Sequence, residues 1–208
     1  MAIDTFDELK TAVANWLGRS DLTARIPEFI ELAEARLSRE IETREQEKRA
    51  TASTTGDDAY IALPTDMREI RSVQLNTSPR TVLRYMTPAQ IEKEFPSNRT
   101  GKPLSYSVIG KELKLAPTPD STYTAEIIYT AGVEALSASN TNNWVLTRYP
   151  DAYLYGTLAA ASIYLVDDPR AAGFEALFQR AIEEIKLDEQ RAKFGGHIAI
   201  RSDYGELT

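Results

Sequence analysis

The chain has 208 residues, with 24 Lys and Arg against 31 Asp and Glu, a formal net charge of −7; 42% of it is hydrophobic, which rules out a disordered chain and predicts one or two domains. It has no cysteine, so a disulfide scaffold, a thiolate nucleophile and a Cys-based metal site are excluded. With His197 as the single histidine, His-dependent catalysis and multi-His metal centres fall away too, and composition describes a soluble, intracellular chain that is not an enzyme.

The opening Met-Ala-Ile-Asp-Thr-Phe-Asp-Glu carries acids where a signal peptide needs a basic region and an apolar run. A first helix is predicted over 5–17, where Phe6, Leu9, Val13, Trp16 and Leu17 share one face. Asp4 or Thr5 is its N-cap and Gly18 its stop. A turn over 19–24 leads to a second helix from Pro27, with Phe29, Ile30, Ala33, Leu37 and Ile41 inward. Its mixed charges after Ile41 predict a solvated or oligomer-facing helix end reaching about residue 50, a rod of roughly 36 Å.

From about 50 to 132 short β-leaning runs alternate with Gly, Pro, Asn and Asp: 59–63, 70–75, 82–85, 104–109, 112–115 and 123–130. Leu104, Tyr106 and Val108 form one hairpin arm and Leu113 and Leu115 the other, around a Gly110-Lys111 turn. Tyr123, Ala125, Ile127 and Tyr129 alternate along a half-buried strand. Thr87 caps a short helix over 87–95 with Pro88 at its first position.

Pro150 then opens a helix to about Val166, rich in small residues (Gly156, Ala159, Ala160, Ala161). With three tyrosines after Ala152, it is a core helix, short of the ~20 apolar residues a membrane span requires. Asp168-Pro169 starts a last helix of roughly 39 Å, with Phe174, Leu177, Phe178, Ala181, Ile182 and Ile185 on one face, ended by Gly195-Gly196. The fold class read from this pattern is α+β: a four-helix bundle from both chain ends (1–50 and 133–196), with a small antiparallel β domain carrying one short helix (51–132) inserted between the second and third helices. Residues 197–208 form an extended C-terminal tail.

Chemical motifs are sparse. There is no G-x-G-x-x-G, P-loop, G-x-S-x-G or calcium loop, and no cofactor or metal is implied. The carboxylate pairs Asp57-Asp58, Asp167-Asp168 and Glu183-Glu184 fit a turn, a helix N-cap and a solvated face better than a glycosidase. The first two helices could pass for a helix-turn-helix, but seven acids against five bases between Ile26 and Ala50 would repel phosphates. Net charge is −3 over 1–50, zero over 51–132 and −4 over 133–208, so the acidity belongs to the helical part. The aromatic residues Trp144, Tyr149, Tyr153 and Tyr155 fit a core or a subunit contact.

Several segments, in this order and spacing, carry a resemblance: Ala12-Val-Ala-Asn-Trp-Leu-Gly-Arg-Ser-Asp-Leu22, Ile26-Pro-Glu-Phe-Ile-Glu-Leu-Ala-Glu-Ala-Arg-Leu37, Leu63-Pro-Thr-Asp66, Gly101-Lys-Pro103, Leu115-Ala-Pro-Thr-Pro-Asp120 and Asn143-Trp-Val-Leu-Thr-Arg-Tyr-Pro-Asp-Ala-Tyr-Leu154. The sequence resembles the head-to-tail adaptor (head-completion, or connector) proteins of tailed bacteriophages, including podovirus-type adaptors and the related tail tubular protein A. The resemblance implies a structural virion protein: a ring of commonly twelve copies docked under the portal protein, extending the DNA channel and offering a surface to a tail, nozzle or stopper protein. Genomic DNA would pass through without sequence-specific binding, and no membrane is involved; an acidic helical part agrees, since like charge disfavours phosphate contacts.

The tail is expected to be mobile in the free monomer and to order against the portal or a neighbouring subunit through Ile198, Ile200, Arg201, Tyr204 and Leu207. Candidate subunit-interface residues are Arg39, Arg44, Glu45, Arg49, Trp144 and Tyr149. The other functional classes the sequence leaves open are a small oligomeric DNA-packaging component and a carboxylate-dependent cell-wall hydrolase.

Overall fold

The computed structural model describes residues 3–96, 99–165 and 169–193. The chain is α+β and divides into two compact units: residues up to Arg44 together with those from Val133 onward, and Glu45–Gly132.

The first unit is helical. In α1 (Phe6–Leu17) Thr5, one of the two N-cap candidates, is the cap and closes a capping box: Thr5 Oγ1 accepts from the Glu8 N–H, and Glu8 Oε2 accepts from the Thr5 N–H at 3.0 Å. Gly18 ends the helix at φ 66°, a left-handed conformation that glycine adopts without steric cost. Helix α2 spans Ile26–Glu40, α4 Trp144–Arg148, α5 Pro150–Tyr164 and α6 Ala171–Lys193. The hub is α5, which packs against α1, α2, α4 and α6 and buries every residue from Ala152 to Ser162 except Tyr155. Its glycine and alanines let neighbouring backbones approach, and Phe178 and Ala33 fill the space beside Gly156.

One ion pair ties α2 to α6. Arg36 grips the Glu175 carboxylate with both guanidinium nitrogens, at 2.8 and 2.7 Å, while its guanidinium lies 4.5 Å from the centroid of the Phe178 ring. The hydrogen bonds from Arg36 hold the Glu175 carboxyl below its ordinary value, against the opposing effect of burial. A lowered folded-state value means the contribution is complete above the ordinary glutamate value and is lost as pH falls from there through the lowered one. Arg36→Ala is expected to cost about 1–2 kcal/mol in urea denaturation, with the deficit shrinking in acid. An acid-independent deficit would assign the effect to lost packing alone.

The second sequence-predicted helix is shorter than its charge pattern suggested. α2 stops at Glu40, Ile41 is extended and buried, Arg44–Gln46 form one 3-10 turn, and Glu47–Ser53 are strand β1. Beyond Ile41 a continued helix would bury no apolar face, whereas an extended 47–53 pairs along its length with β8 (Thr124–Ala131) and packs Ala50 and Ala52 on a core.

The second unit holds two four-stranded sheets. With β2 (Tyr60–Ala62), β3 (Met67–Leu75), β4 (Thr81–Val82), β5 (Arg84–Tyr85), β6 (Ser105–Ile109) and β7 (Glu112–Ala116), their orders are β1-β8-β3-β4 and β2-β7-β6-β5. The expectation of an antiparallel domain fails at one place: β5 runs parallel to β6, because the chain passes through helix α3 (Pro88–Glu94) between them. Such a return in the same direction needs a crossover that a tight turn cannot supply. Both sheets feed one core, including Ile61, Val73, Leu75, Leu113, Leu115 and Ile127. The β6–β7 hairpin turns at Gly110 with φ 62°, and Thr87 caps α3, both as the sequence indicated; Leu104, however, is exposed just ahead of β6.

Strand β8 is flanked by β1 and β3, and residues on both of its faces are buried: Glu126 and Thr130 as well as Ala125, Ile127 and Tyr129. Glu126 is satisfied there by Arg49 Nη1 at 2.9 Å and Gln74 Nε2 at 2.6 Å.

Candidate interaction surfaces

The buried carboxylates are occupied by structure. Glu34, on α2, accepts from the Leu136 N–H at 2.7 Å and from the Tyr153 hydroxyl at 3.2 Å. Burial raises its carboxyl above the ordinary range, and those two hydrogen bonds oppose the rise. Tyr153 is pushed far above the ordinary phenol value, first by burial and then by the Glu34 charge. Asn143 completes the group: its Nδ2 donates to Glu134 O and to the Tyr153 hydroxyl, and its Oδ1 caps α4 at the Leu146 N–H. Three buried polar side chains thus pin the segment after Val133 to α2. Glu126 and its partners close the other buried acid. Each of these two buried carboxylates thus accepts two hydrogen bonds from the chain.

The carboxylate pairs read from the sequence behave as structure where they are described. Asp57 has φ 65° in a turn, Asp58 Oδ1 accepts from the Tyr60 N–H, and Glu183 and Glu184 lie exposed on α6. Asp167 and Asp168 fall outside the described residues, as do His197 and all five tail candidates, Ile198, Ile200, Arg201, Tyr204 and Leu207.

The interface candidates scatter over several elements. Arg39 is exposed near the end of α2 and has no ion pair among the described residues. Arg44, in the 3-10 turn, has Nε 3.3 Å from Glu189 of α6; Glu45, in the same turn, is exposed. Arg49 lies on β1 and pairs with Glu126 at 2.9 Å. Trp144 and Tyr149 are half-buried against the helical core, and Tyr149 reaches Asp188 at 3.5 Å. Of the other two aromatics, Tyr153 is wholly core, and Tyr155 stands edge-on to Trp16 with centroids 6.0 Å apart. The structure therefore does not gather Arg39, Arg44 and Arg49 on one helix face, as a longer second helix would have done.

Exposed apolar side chains, in contrast, occur on both units. On the helices they include Trp16, Leu32, Ile163 and Tyr164, and Ile163 is 80% exposed. Tyr164 rests on Phe29, with centroids 5.5 Å apart. On the sheets they include Val82, Tyr85 and Leu104. An open cleft of about 520 Å³ lies between β5 and α3, lined by Arg84, Tyr85, Met86, Gln90, Lys93 and Glu94. The exposed apolar side chains are of the kind found where one protein surface meets another. The sequence did not single out Leu32, Ile163 or Tyr164: α5 is apolar almost all round, so its spacing names no outer face.

The family model for the SU10 adaptor protein matches residues 4–201. The chain belongs to that family. It is thus a phage head–tail adaptor protein, a structural component of the virion, from a family generally without enzymatic activity. Membership implies contacts between the adaptor and phage portal and tail components. No curated protein matches the adaptor sequence. Among the described residues of the adaptor, no helix is long and apolar enough to cross a membrane.

Proposed function

We propose that this adaptor assembles as a closed ring beneath the portal, continues the DNA channel and presents the surface on which the tail attaches. The observation that carries the reading is the family match over residues 4–201, nearly the whole chain. Two physical features support it. Net charge is −7, concentrated in the stretches that form the helical unit, so DNA can pass without being held. Exposed apolar residues on both units suit a molecule with neighbours on more than one side. In the adaptors it resembles, the ring commonly has twelve copies.

The test is co-sedimentation of the purified chain with portal rings of its own virus, followed by electron-microscopy class averages of the pellet. A ring stacked on one end of the portal, with a countable number of subunits, is the expected result. A correctly folded chain that stays in the supernatant would overturn the portal-facing role.

Residues 197–208 act in this reading as a strap between molecules of the assembly, so deleting them is expected to lower portal-associated protein at least tenfold. Unchanged retention would sink the strap. For the lateral contact, Arg39 is the informative position. Reversing Arg44 or Arg49 also breaks their pairs with Glu189 and Glu126, whereas Arg39 has no such pair among the described residues. Arg39→Glu is expected to leave folding stability within about 0.5 kcal/mol while reducing ring yield. Rings formed in normal yield would place Arg39 in solvent.

A further inference from the structure

A sheet edge offers unpaired backbone donors and acceptors to another chain. Of the four edges here, β2, β4 and β5 hold three, two and two residues, while β1 holds seven. Two bonds fix the phase of the ladder. The Thr54 N–H donates to Tyr123 O at 2.8 Å, in register with the β1–β8 pairing, and the Asn76 N–H donates to Thr124 O at 2.8 Å on the opposite side of β8. Backbone groups alternate sides along a strand, so residues 48, 50, 52 and 54 direct theirs to β8. Glu47, Arg49, Thr51 and Ser53 direct theirs to the open edge. Arg49, Thr51 and Ser53 are exposed, and their outward N–H and C=O groups meet no partner among the described residues. The strand contains no proline, and its register with β8 is unbroken. Its length and continuity leave this edge open to pairing.

The two faces of β1 say what kind of strand fits. Ala50 and Ala52 lie half-buried against the core, while Arg49, Thr51 and Ser53 are exposed on the other face. A complementary strand needs bulky apolar residues at alternate positions, to extend the core past the two alanines, with small or polar residues between them. The stretch His197-Ile198-Ala199-Ile200-Arg201 has that alternation, in β-branched residues of high strand propensity, directly after Gly195-Gly196.

We propose that residues 197–201 of one copy add as a strand to the β1 edge of a second copy, with Ile198 and Ile200 on the face of Ala50 and Ala52. The inference rests on the ring reading. One edge and one tail strand per copy make a heterologous contact that can close a ring, whereas β1 against β1 would be two-fold and stop at a dimer. Backbone bonds supply affinity and the isoleucines supply register.

Two full-length variants test it. Thr51→Pro removes an outward N–H while leaving the groups that pair with β8, a position where an edge strand tolerates proline. Ile198→Asp with Ile200→Asp removes the apolar teeth of the tail. Each variant alone is expected to self-associate at least tenfold more weakly than the parent in sedimentation velocity. Mixed, the intact tail of the first meets the intact edge of the second, and a one-to-one heterodimer is expected. If Thr51→Pro misfolds by circular dichroism, amide exchange answers independently. In the assembled parent the Arg49, Thr51 and Ser53 amides are expected to exchange at least tenfold more slowly than in the tail variant. Parent-like association of both variants, a mixture that stays monomeric, or edge amides slowed only when portal or tail protein is added would each overturn the proposal. A parent that sediments with portal despite any of these outcomes leaves the ring reading standing; a parent that neither self-associates nor binds portal removes both.

Discussion

Gly156→Ala is expected to lower the unfolding free energy of the helical unit by about 1–3 kcal/mol, and Gly156→Val by more. A Cβ at this position would lie 2.8 and 3.0 Å from two ring carbons of Phe178 and 3.3 Å from the Ala33 Cβ. The ring cannot retreat cheaply. Phe178 is fully buried, and the Arg36 guanidinium beside it is itself held by Glu175. Alanine's better helix propensity returns about 1 kcal/mol at most, less than the overpacking takes. Both tryptophans, Trp16 and Trp144, belong to this unit, so their fluorescence in urea reads its unfolding directly. Phe178→Leu in the Gly156→Ala background is expected to recover part of the loss, a coupling that marks the clash as the cause. An unchanged midpoint in Gly156→Ala would mean that α2 and α6 can spread around α5, against the close packing described.

What the sequence made legible follows from where burial is one-sided. α1 announces itself twice, by Thr5 and Glu8 at its start and by an apolar stripe that only one face can bury. The β6–β7 hairpin is legible for the same reason, since Gly110 fixes the turn and the alternation fixes the inward side. Legibility ends where a neighbour decides the conformation. Residues 47–53 carry charges compatible with helix and become strand because β8 is there to receive them. Alternation of Ala50 and Ala52 with Thr51 and Ser53 was the available signal, and the preceding charges masked it. Likewise Glu126 reads as a solvent-facing residue on an alternating strand, and it is buried because β1 and β3 flank β8 on both sides. Among the interface candidates charge came without address: Arg39, Arg44 and Arg49 look like one series and lie on a helix, a turn and a strand.

The division of labour between the units also has a physical cause. Charge is neutral over 51–132 and negative on either side, so in the proposed channel the long-range repulsion of DNA would come from the residues that build the helices. The sheets instead carry the exposed apolar side chains Val82, Tyr85 and Leu104. A deletion that removed the negative charge of the helices would therefore be expected to increase salt-sensitive DNA retention, and one confined to the sheets would not.

Asn143→Ala is the second substitution of large expected effect, costing about 2–4 kcal/mol, because one side chain performs three tasks. It caps α4 at the buried Leu146 N–H at 2.9 Å, donates to Glu134 O at 2.7 Å, and donates to the Tyr153 hydroxyl. Removing it orphans groups that water does not reach, since Leu146 and Tyr153 have no exposed surface. Tyr153→Phe is milder, about 1–2 kcal/mol at neutral pH, and its pH dependence identifies the mechanism. Glu34 is raised above the ordinary value of 4.5 by burial, and the Tyr153 hydroxyl is one of two donors resisting that rise. An acid whose folded-state value is raised contributes most when protonated, and the contribution is lost as pH climbs from the ordinary value through the folded one. Without the hydroxyl, Glu34 is raised further and the loss extends to higher pH. The stability gap between Tyr153→Phe and the parent is therefore expected to widen as pH rises above the ordinary glutamate value, read from urea midpoints at each pH. Glu34→Gln in the same background is expected to flatten that dependence. A gap that stays constant across this range would show that the hydroxyl supports Asn143 alone, and that Glu34 is held by the Leu136 amide.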